Sequence, residues 1–263
     1  MSKLSLIERH NMHNLGRTRS SQQPNHLLLT PDTFVRTTLP GMKGCTAIVH
    51  AGPAMGARFA EYTAEFEARG EMVGTRAQRF IFVMEGSVKL ETTDKRSKLG
   101  AQGYAYVPAG LAHRITAAAK SRVVVIEKSY EPLAGAAPPH LIVSQEDKVV
   151  SHPLADDAAL QVKCLLPDEM SYDFAVNTMV YQPGAALSMV EMHVMEHGLI
   201  MLEGGGIYRL GDSWYPVTAG DFIWMAPWCP QWFGAIGKVP AKYLIYKDWN
   251  RHPLAGQQHE TRN

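Results

Sequence analysis

"FVMEGSVKL" at residues 82–90 and "IMLEGGGIYRL" at 200–210 are two versions of one pattern: an apolar run, a Glu-Gly turn and a second strand-like run, with Gly86 and Gly204 standing 118 residues apart. A repeat at a fixed spacing makes each copy one structural unit. Two further matches follow in the same order. "GYAYVPAGLAH" at 103–113 answers to "GDFIWMAPWCPQ" at 220–231, which sets His113 opposite Gln231 at the same spacing. "VVVIEK" at 123–128 answers to "KYLIYK" at 242–247, now 119 apart, so that Lys128 falls on Lys247.

Within each copy, short runs rich in Val, Ile, Tyr, Phe and Met are broken every 8 to 12 residues or so by Gly, Pro or Asp, the pattern of antiparallel strands. Helical periodicity is weak. The expected fold is all-β, with two jelly-roll β-barrels in one chain related by the repeat. The stretch "SQEDKVVSHPLADDAALQVKCLLPDEMSYD" at 144–173 carries Pro153, Pro167 and several acids without strong alternation, and is expected to be a linker. The implied division is an N-terminal arm at 1–25, a first barrel at 26–143 and a second at 174–263.

Composition narrows the partners. The 263 residues are 46% hydrophobic and 19% charged, and 26 basic against 25 acidic side chains leave a net charge of +1. Without a basic excess or a Lys/Arg block there is no electrostatic footprint for nucleic acid or for an anionic membrane. Cys45, Cys164 and Cys229 are far apart and odd in number, which fits a reduced, cytoplasmic setting. The first residues lack the apolar run of a secretory signal, and no later stretch approaches the ~18 uncharged apolar residues of a membrane span. Edge strands and the N-terminal segment lead to the expectation of a homo-oligomer.

Residues 191–198 read "EMHVMEHG". In a strand, Glu191 and His193 would share a face, and His197 would join them if the chain turned or stayed in register, with Gly198 as a place to bend. The apolar flanks "AALSMV" and "LIML" would bury the group, and buried charge is costly unless paired or bound to a metal. From spacing alone two readings stand side by side, a metal site and ordinary hydrogen-bonded side chains.

Both halves resemble cupins, small β-barrels that hold metal ligands inside. The usual first motif has His-x-His followed by an acid, and the second has Pro-x-Gly-x-x-His. In the second half of this chain Glu191 stands for the first His, His193 keeps the second, His197 replaces the acid and Gln231 replaces the last His. Together with "LLLTPDTFVRTTLPGM", "MHVMEHGLIMLEGGGIYRLGDSWYPVTAGDFIWMAP" and "YLIYKDWNR", this exchanged set resembles the (S)-ureidoglycine aminohydrolase family of bicupins, from about residue 26 to 253. The same offset in the first half lands on Val73, Thr75 and Arg79, leaving His113 alone, so that barrel is expected to hold no metal and His113 to be structural.

The resemblance implies Mn²⁺ on Glu191, His193, His197 and Gln231; a carboxylate, two imidazoles and an amide oxygen suit Mn²⁺ or Fe²⁺, and nearby Cys229 raises Zn²⁺ as a rival. It implies hydrolytic loss of ammonia from (S)-ureidoglycine to give (S)-ureidoglycolate. Lys247 is the candidate catalytic proton carrier, and Lys247, Tyr208 and Tyr243 the candidate substrate contacts. Against these stand a strand lysine reaching solvent, as its match to Lys128 allows, and tyrosines that merely pack. Glu196 is expected to point away from the site. Trp224 and Trp228 are read either as pocket walls or as ordinary packing. Two rival functions remain: an Fe²⁺ cupin dioxygenase, and a non-catalytic module binding a small carboxylate.

Overall fold

Five consecutive strands of the first barrel recur in the second at the spacing of the repeat. Gln78–Glu85, Ser87–Thr92, Arg96–Gly100, Gly103–Val107 and His113–Ala117 correspond to His197–Glu203, Gly205–Leu210, Ser213–Thr218, Phe222–Met225 and Gln231–Ala235. The computed structural model describes residues 18–251; most of the expected N-terminal arm and the tail "GQQHETRN" lie outside the described residues. The Glu-Gly turns are fixed points in both copies. Gly86 and Gly204 have φ of 76° and 64°, a left-handed backbone that favours glycine. A Cβ at Gly86 would lie 2.6 Å from the Lys120 carbonyl, and one at Gly204 would strike the Pro240 carbonyl, just before the closing strand of each barrel.

The first barrel is one curled ten-stranded sheet, in which the 14-residue strand Ala60–Val73 pairs with Met42–Ala51, Ser121–Lys128 and His113–Ala117. The second combines an eight-stranded sheet with a three-stranded sheet of Ser213–Thr218, Gly205–Leu210 and Gln231–Ala235. Period-two alternation divides the apolar side chains into three cores. Ile81, Val83, Val123 and Val125 fill the first barrel, and Leu199, Met201, Tyr243 and Ile245 fill the second. The other faces of the same strands meet between the barrels, Phe80, Phe82, Val124 and Ile126 with Ile200, Leu244 and Tyr246. No helix among the described residues is long and apolar enough to cross a membrane.

Three expectations are corrected. The strand His26–Leu29 does not join the first barrel; it pairs with Phe222–Met225 of the second, because Leu28 can then enter the second barrel's core while Leu27 joins the shared one. The stretch 144–173 is more than a linker. Ile142–Gln145 pairs with Gly103–Val107, and His152–Leu154 and Asp157–Cys164 form a hairpin edging the second barrel. That hairpin turns through Ala155 and Asp156, with φ of 48° and 62°; neither residue is glycine, so the usual signal for such a turn is missing. The closing strands also pair one residue away from the apparent match. Lys247 is the ladder partner of His197, whereas the partner of Arg79 is Glu127 and not Lys128.

Buried charges tie the barrels together. Asp173 is fully buried and accepts from Lys128 Nζ at 2.7 Å, Gln78 Nε2 at 2.5 Å and the Glu131 amide at 2.8 Å. Glu146 accepts from Lys242 Nζ at 2.7 Å and Thr178 Oγ1 at 2.8 Å. Removing one partner of such a pair leaves the other charged and dry, so Lys128→Met is expected to cost about 3–5 kcal/mol, measured by urea unfolding. Glu61 is buried between the barrels with no partner for Oε2 among the described residues, and burial pushes its carboxyl up to about 8. It stays protonated in the fold while the unfolded chain ionises above about 4.5, so stability should fall as pH rises from about 4.5 to about 8. Tm measured at pH 5 and pH 8 should show that loss in the wild type and much less of it in Glu61→Gln.

Candidate active site

The four expected metal ligands come from three elements at one end of the second barrel. His197 opens the strand His197–Glu203, with Met225 on one side and Lys247 on the other. Gln231 opens Gln231–Ala235. Glu191 and Gln231 exchange both backbone hydrogen bonds, at 2.8 and 2.9 Å, in an isolated bridge. His193 follows on irregular backbone, its carbonyl accepting the Trp228 amide at 2.7 Å. Glu191 and His193 are therefore not neighbours on one strand face, as the alternation predicted. The matching part of the first barrel is continuous strand, but here Pro183 cannot donate to a ladder and Gly184 takes a φ of 86°.

Glu191 Oε2 lies 3.1 Å from His193 Nε2, and the His193 and His197 rings meet edge to face with centroids 5.5 Å apart. Tyr208 donates its hydroxyl to Gln231 Oε1 at 3.2 Å. His197 and Gln231 are buried, whereas the side chains of Glu191 and His193 are about one third exposed, at 31% and 33%. The apolar flanks do not seal the group: Met189 and Val190 face solvent. Among the described residues no three His, Cys, Asp or Glu side chains close into a metal-binding cluster; Glu191 is turned onto His193 instead.

The donor chemistry nevertheless fits a divalent cation. Burial first, then His193 and Lys247, push His197 down to about 3, so its imidazole is neutral, the form that ligates metals. Its Nδ1 is buried with no hydrogen-bond partner among the described residues. The set has no thiolate, because the Cys229 thiol is buried and donates to the Pro230 carbonyl at 3.6 Å.

Beside His197, Lys247 is half-buried on the face that also carries Tyr243 and Ile245, and burial lowers its pKa. Its Nζ lies 4.4 Å from the centre of the Trp249 ring, whose Nε1 donates to Asp168 at 2.7 Å. Among the described residues no carboxylate comes within ion-pair distance of it. Lys128 is no guide to Lys247, since it faces the other barrel and is paired with Asp173. Tyr208 and Tyr243 are fully buried, and burial raises both hydroxyls well above 10, so both remain donors. Tyr243 shares a 2.8 Å hydrogen bond with Tyr181.

Sequence reasoning missed Tyr181 and Trp249. Trp249 is two residues beyond Lys247 and so belongs to the same face, a signal that was present; for Tyr181 only an apolar run was visible. Trp224 is not a pocket wall: it is buried, and its Nε1 donates to Glu196 at 3.2 Å on the far side of the strand. Trp228 stands exposed in a left-handed backbone, φ 66°.

In the first barrel, the positions matching His197, Gln231 and Lys247 hold Arg79, His113 and Glu127. The Arg79 guanidinium bonds Glu127 Oε1 at 2.7 Å through Nε, the Val73 carbonyl at 3.1 Å and His113 Nε2 at 2.9 Å. His113 Nδ1 donates to the Leu111 carbonyl at 2.8 Å, leaving Nε2 as acceptor. A fixed organic cation stands where the second barrel has its candidate ligands.

Residues 177–246 match the Cupin domain family. The chain is 42% identical to (S)-ureidoglycine aminohydrolase of Arabidopsis thaliana, over 91% of this chain and 80% of that one. It is 32% identical to (S)-ureidoglycine aminohydrolase of Escherichia coli strain K12, over 86% and 89%. The crystal structure of protein Ylba from E. coli superposes with a TM-score of 0.80 at 28% identity, covering 92% of this chain and 98% of that one. With relatives this similar across nearly all of the described fold, the chain belongs to the (S)-ureidoglycine aminohydrolase family of double-barrelled cupins.

Proposed function

We propose that the chain removes ammonia hydrolytically from (S)-ureidoglycine, leaving (S)-ureidoglycolate, as a step of purine-derived ureide degradation, with Mn²⁺ held by Glu191, His193, His197 and Gln231. The observation that carries this reading is the ladder pairing of His197 with Lys247 beside the bridge of Glu191 and Gln231. It brings metal-type donors and a half-buried amine to one mouth of the barrel. A bound divalent cation there would polarise and orient substrate oxygens.

The chain's own groups do the rest. In the overall change water supplies a hydroxyl to the carbon that carries the amine, the C–N bond breaks, and the nitrogen leaves as ammonia with a proton it must receive. Lys247 is the proton carrier in this reading, because burial lowers its pKa and the Trp249 ring holds its head without a competing carboxylate. Tyr208 and Tyr243 stay protonated; Tyr243 accepts from Tyr181 and donates to the substrate's carboxylate or ureido oxygens, and Tyr208 donates there once its hydroxyl turns from Gln231 Oε1 to the substrate. The exposed sides of Glu191 and His193 leave a way in.

The decisive experiment is ammonia release from freshly generated ureidoglycine by metal-stripped protein resupplied with Mn²⁺, after subtraction of spontaneous decay. Release should depend on Mn²⁺ and select one enantiomer. Lys247→Ala should lower kcat by about 100-fold or more, the usual scale of general acid–base catalysis, while leaving Mn²⁺ uptake intact. Gln231→Ala should weaken Mn²⁺ binding itself. Wild-type release no faster than the blank would sink the assignment, and oxygen consumption would then be measured to test for a dioxygenase.

A further inference from the structure

The two residues flanking His197 both meet the first barrel, Glu196 through its carboxylate and Gly198 through its bare backbone. Glu196 Oε1 accepts the backbone N–H of Arg58 at 2.8 Å, and its Oε2 accepts from Trp224. Its own N–H donates to Asp248 Oδ1 at 2.7 Å, so the residue before His197 is clamped to the residue after Lys247. On the other side, a Cβ at Gly198 would lie 2.6 Å from Cζ of Phe59 and would also strike the Glu61 carboxylate. Phe59 in turn stacks on Tyr246, the residue before Lys247, with ring centres 4.0 Å apart.

Three residues of the first barrel, Arg58, Phe59 and Glu61, thus touch both neighbours of His197 and one neighbour of Lys247. Apolar filling would join two barrels at least as well, since a buried carboxylate carries a desolvation penalty. What a carboxylate with both oxygens bonded adds is a fixed distance and direction, the means by which outer groups orient metal ligands.

We propose that segment 58–61 is a positioning element of the active site: the barrel that carries no ligand set holds His197 and Lys247 in place through Glu196 and Gly198. The proposal rests on the reading of His197 as a metal ligand. Phe59, Glu61 and Glu196 are buried at the joint between the barrels, whereas Lys247 is on the face of its strand that serves the second barrel's interior.

The test uses full-length protein, with the Mn²⁺ dissociation constant and the spin-resonance spectrum of bound Mn²⁺ measured for the wild type, Gly198→Ala, Glu196→Ala and Glu196→Gln. Phe80→Leu, in the same inter-barrel core, is the control for general loosening. Gly198→Ala and Glu196→Ala should weaken Mn²⁺ binding by about 10- to 100-fold, with a changed spectrum. Glu196→Gln, which keeps an oxygen for the Arg58 amide, should recover part of the loss and carries the test if Glu196→Ala does not fold. Wild-type-like Mn²⁺ affinity in the Gly198 and Glu196 variants would overturn the brace alone. An equal loss in Phe80→Leu at equal Tm would reduce it to ordinary packing. Absence of Mn²⁺ uptake by the wild type would overturn the ligand assignment and the brace together.

Discussion

The strand Ala241–Asp248 has no face to spare. Because successive side chains point opposite ways, Tyr243, Ile245 and Lys247 must serve the interior of the second barrel while Leu244, Tyr246 and Asp248 serve the joint with the first. Both its edges are paired as well, to Phe174–Tyr181 and to His197–Glu203. A slip by one residue would exchange the amine for a carboxylate at the candidate site and put a lysine into the apolar joint. The position of Lys247 beside His197 is in this sense the same fact as the packing of the two barrels.

Ion pairs mark the places where the chain crosses from one barrel to the other. Asp173 precedes the first strand of the second barrel's core and is gripped by Lys128 at the end of the first barrel's closing strand. Glu146 leaves the first barrel and is gripped by Lys242 of the second. Pairs of this kind add little net stability compared with apolar residues of the same volume, but they penalise any arrangement that parts them. They specify how the two halves dock.

Much of this was legible in the sequence. The Glu-Gly turns were, because a left-handed glycine and strand alternation are local properties and recur at a fixed spacing. Glu191 and His193 were legible as a pair, although the reason given, a shared strand face, was not the one the fold uses. The register of the closing strands was not legible: "VVVIEK" and "KYLIYK" align by their letters, while the true register is set by partner strands far off in sequence. The hairpin through Ala155 and Asp156 was hidden because its turn lacks the usual glycine. The repeat set Gln231 opposite His113, but its role as a candidate ligand entered only through resemblance to a family, since a lone glutamine carries no metal-binding signal. The contact of Glu196 with Arg58 could not have been found, since Arg58 contributes a backbone amide, which has no residue-specific letter.

The strand His26–Leu29 has a consequence for how the molecule is divided. It precedes the whole first barrel in the chain, yet it covers the edge of Phe222–Met225 in the second. The covalent order and the spatial order are therefore interleaved, and the chain is not two beads on a string. A fragment beginning after the first barrel would carry all four candidate ligands but an open sheet edge, with unpaired amides and carbonyls ready to recruit another chain. The halves of this repeat, alike as they are, have become inseparable by a single cut.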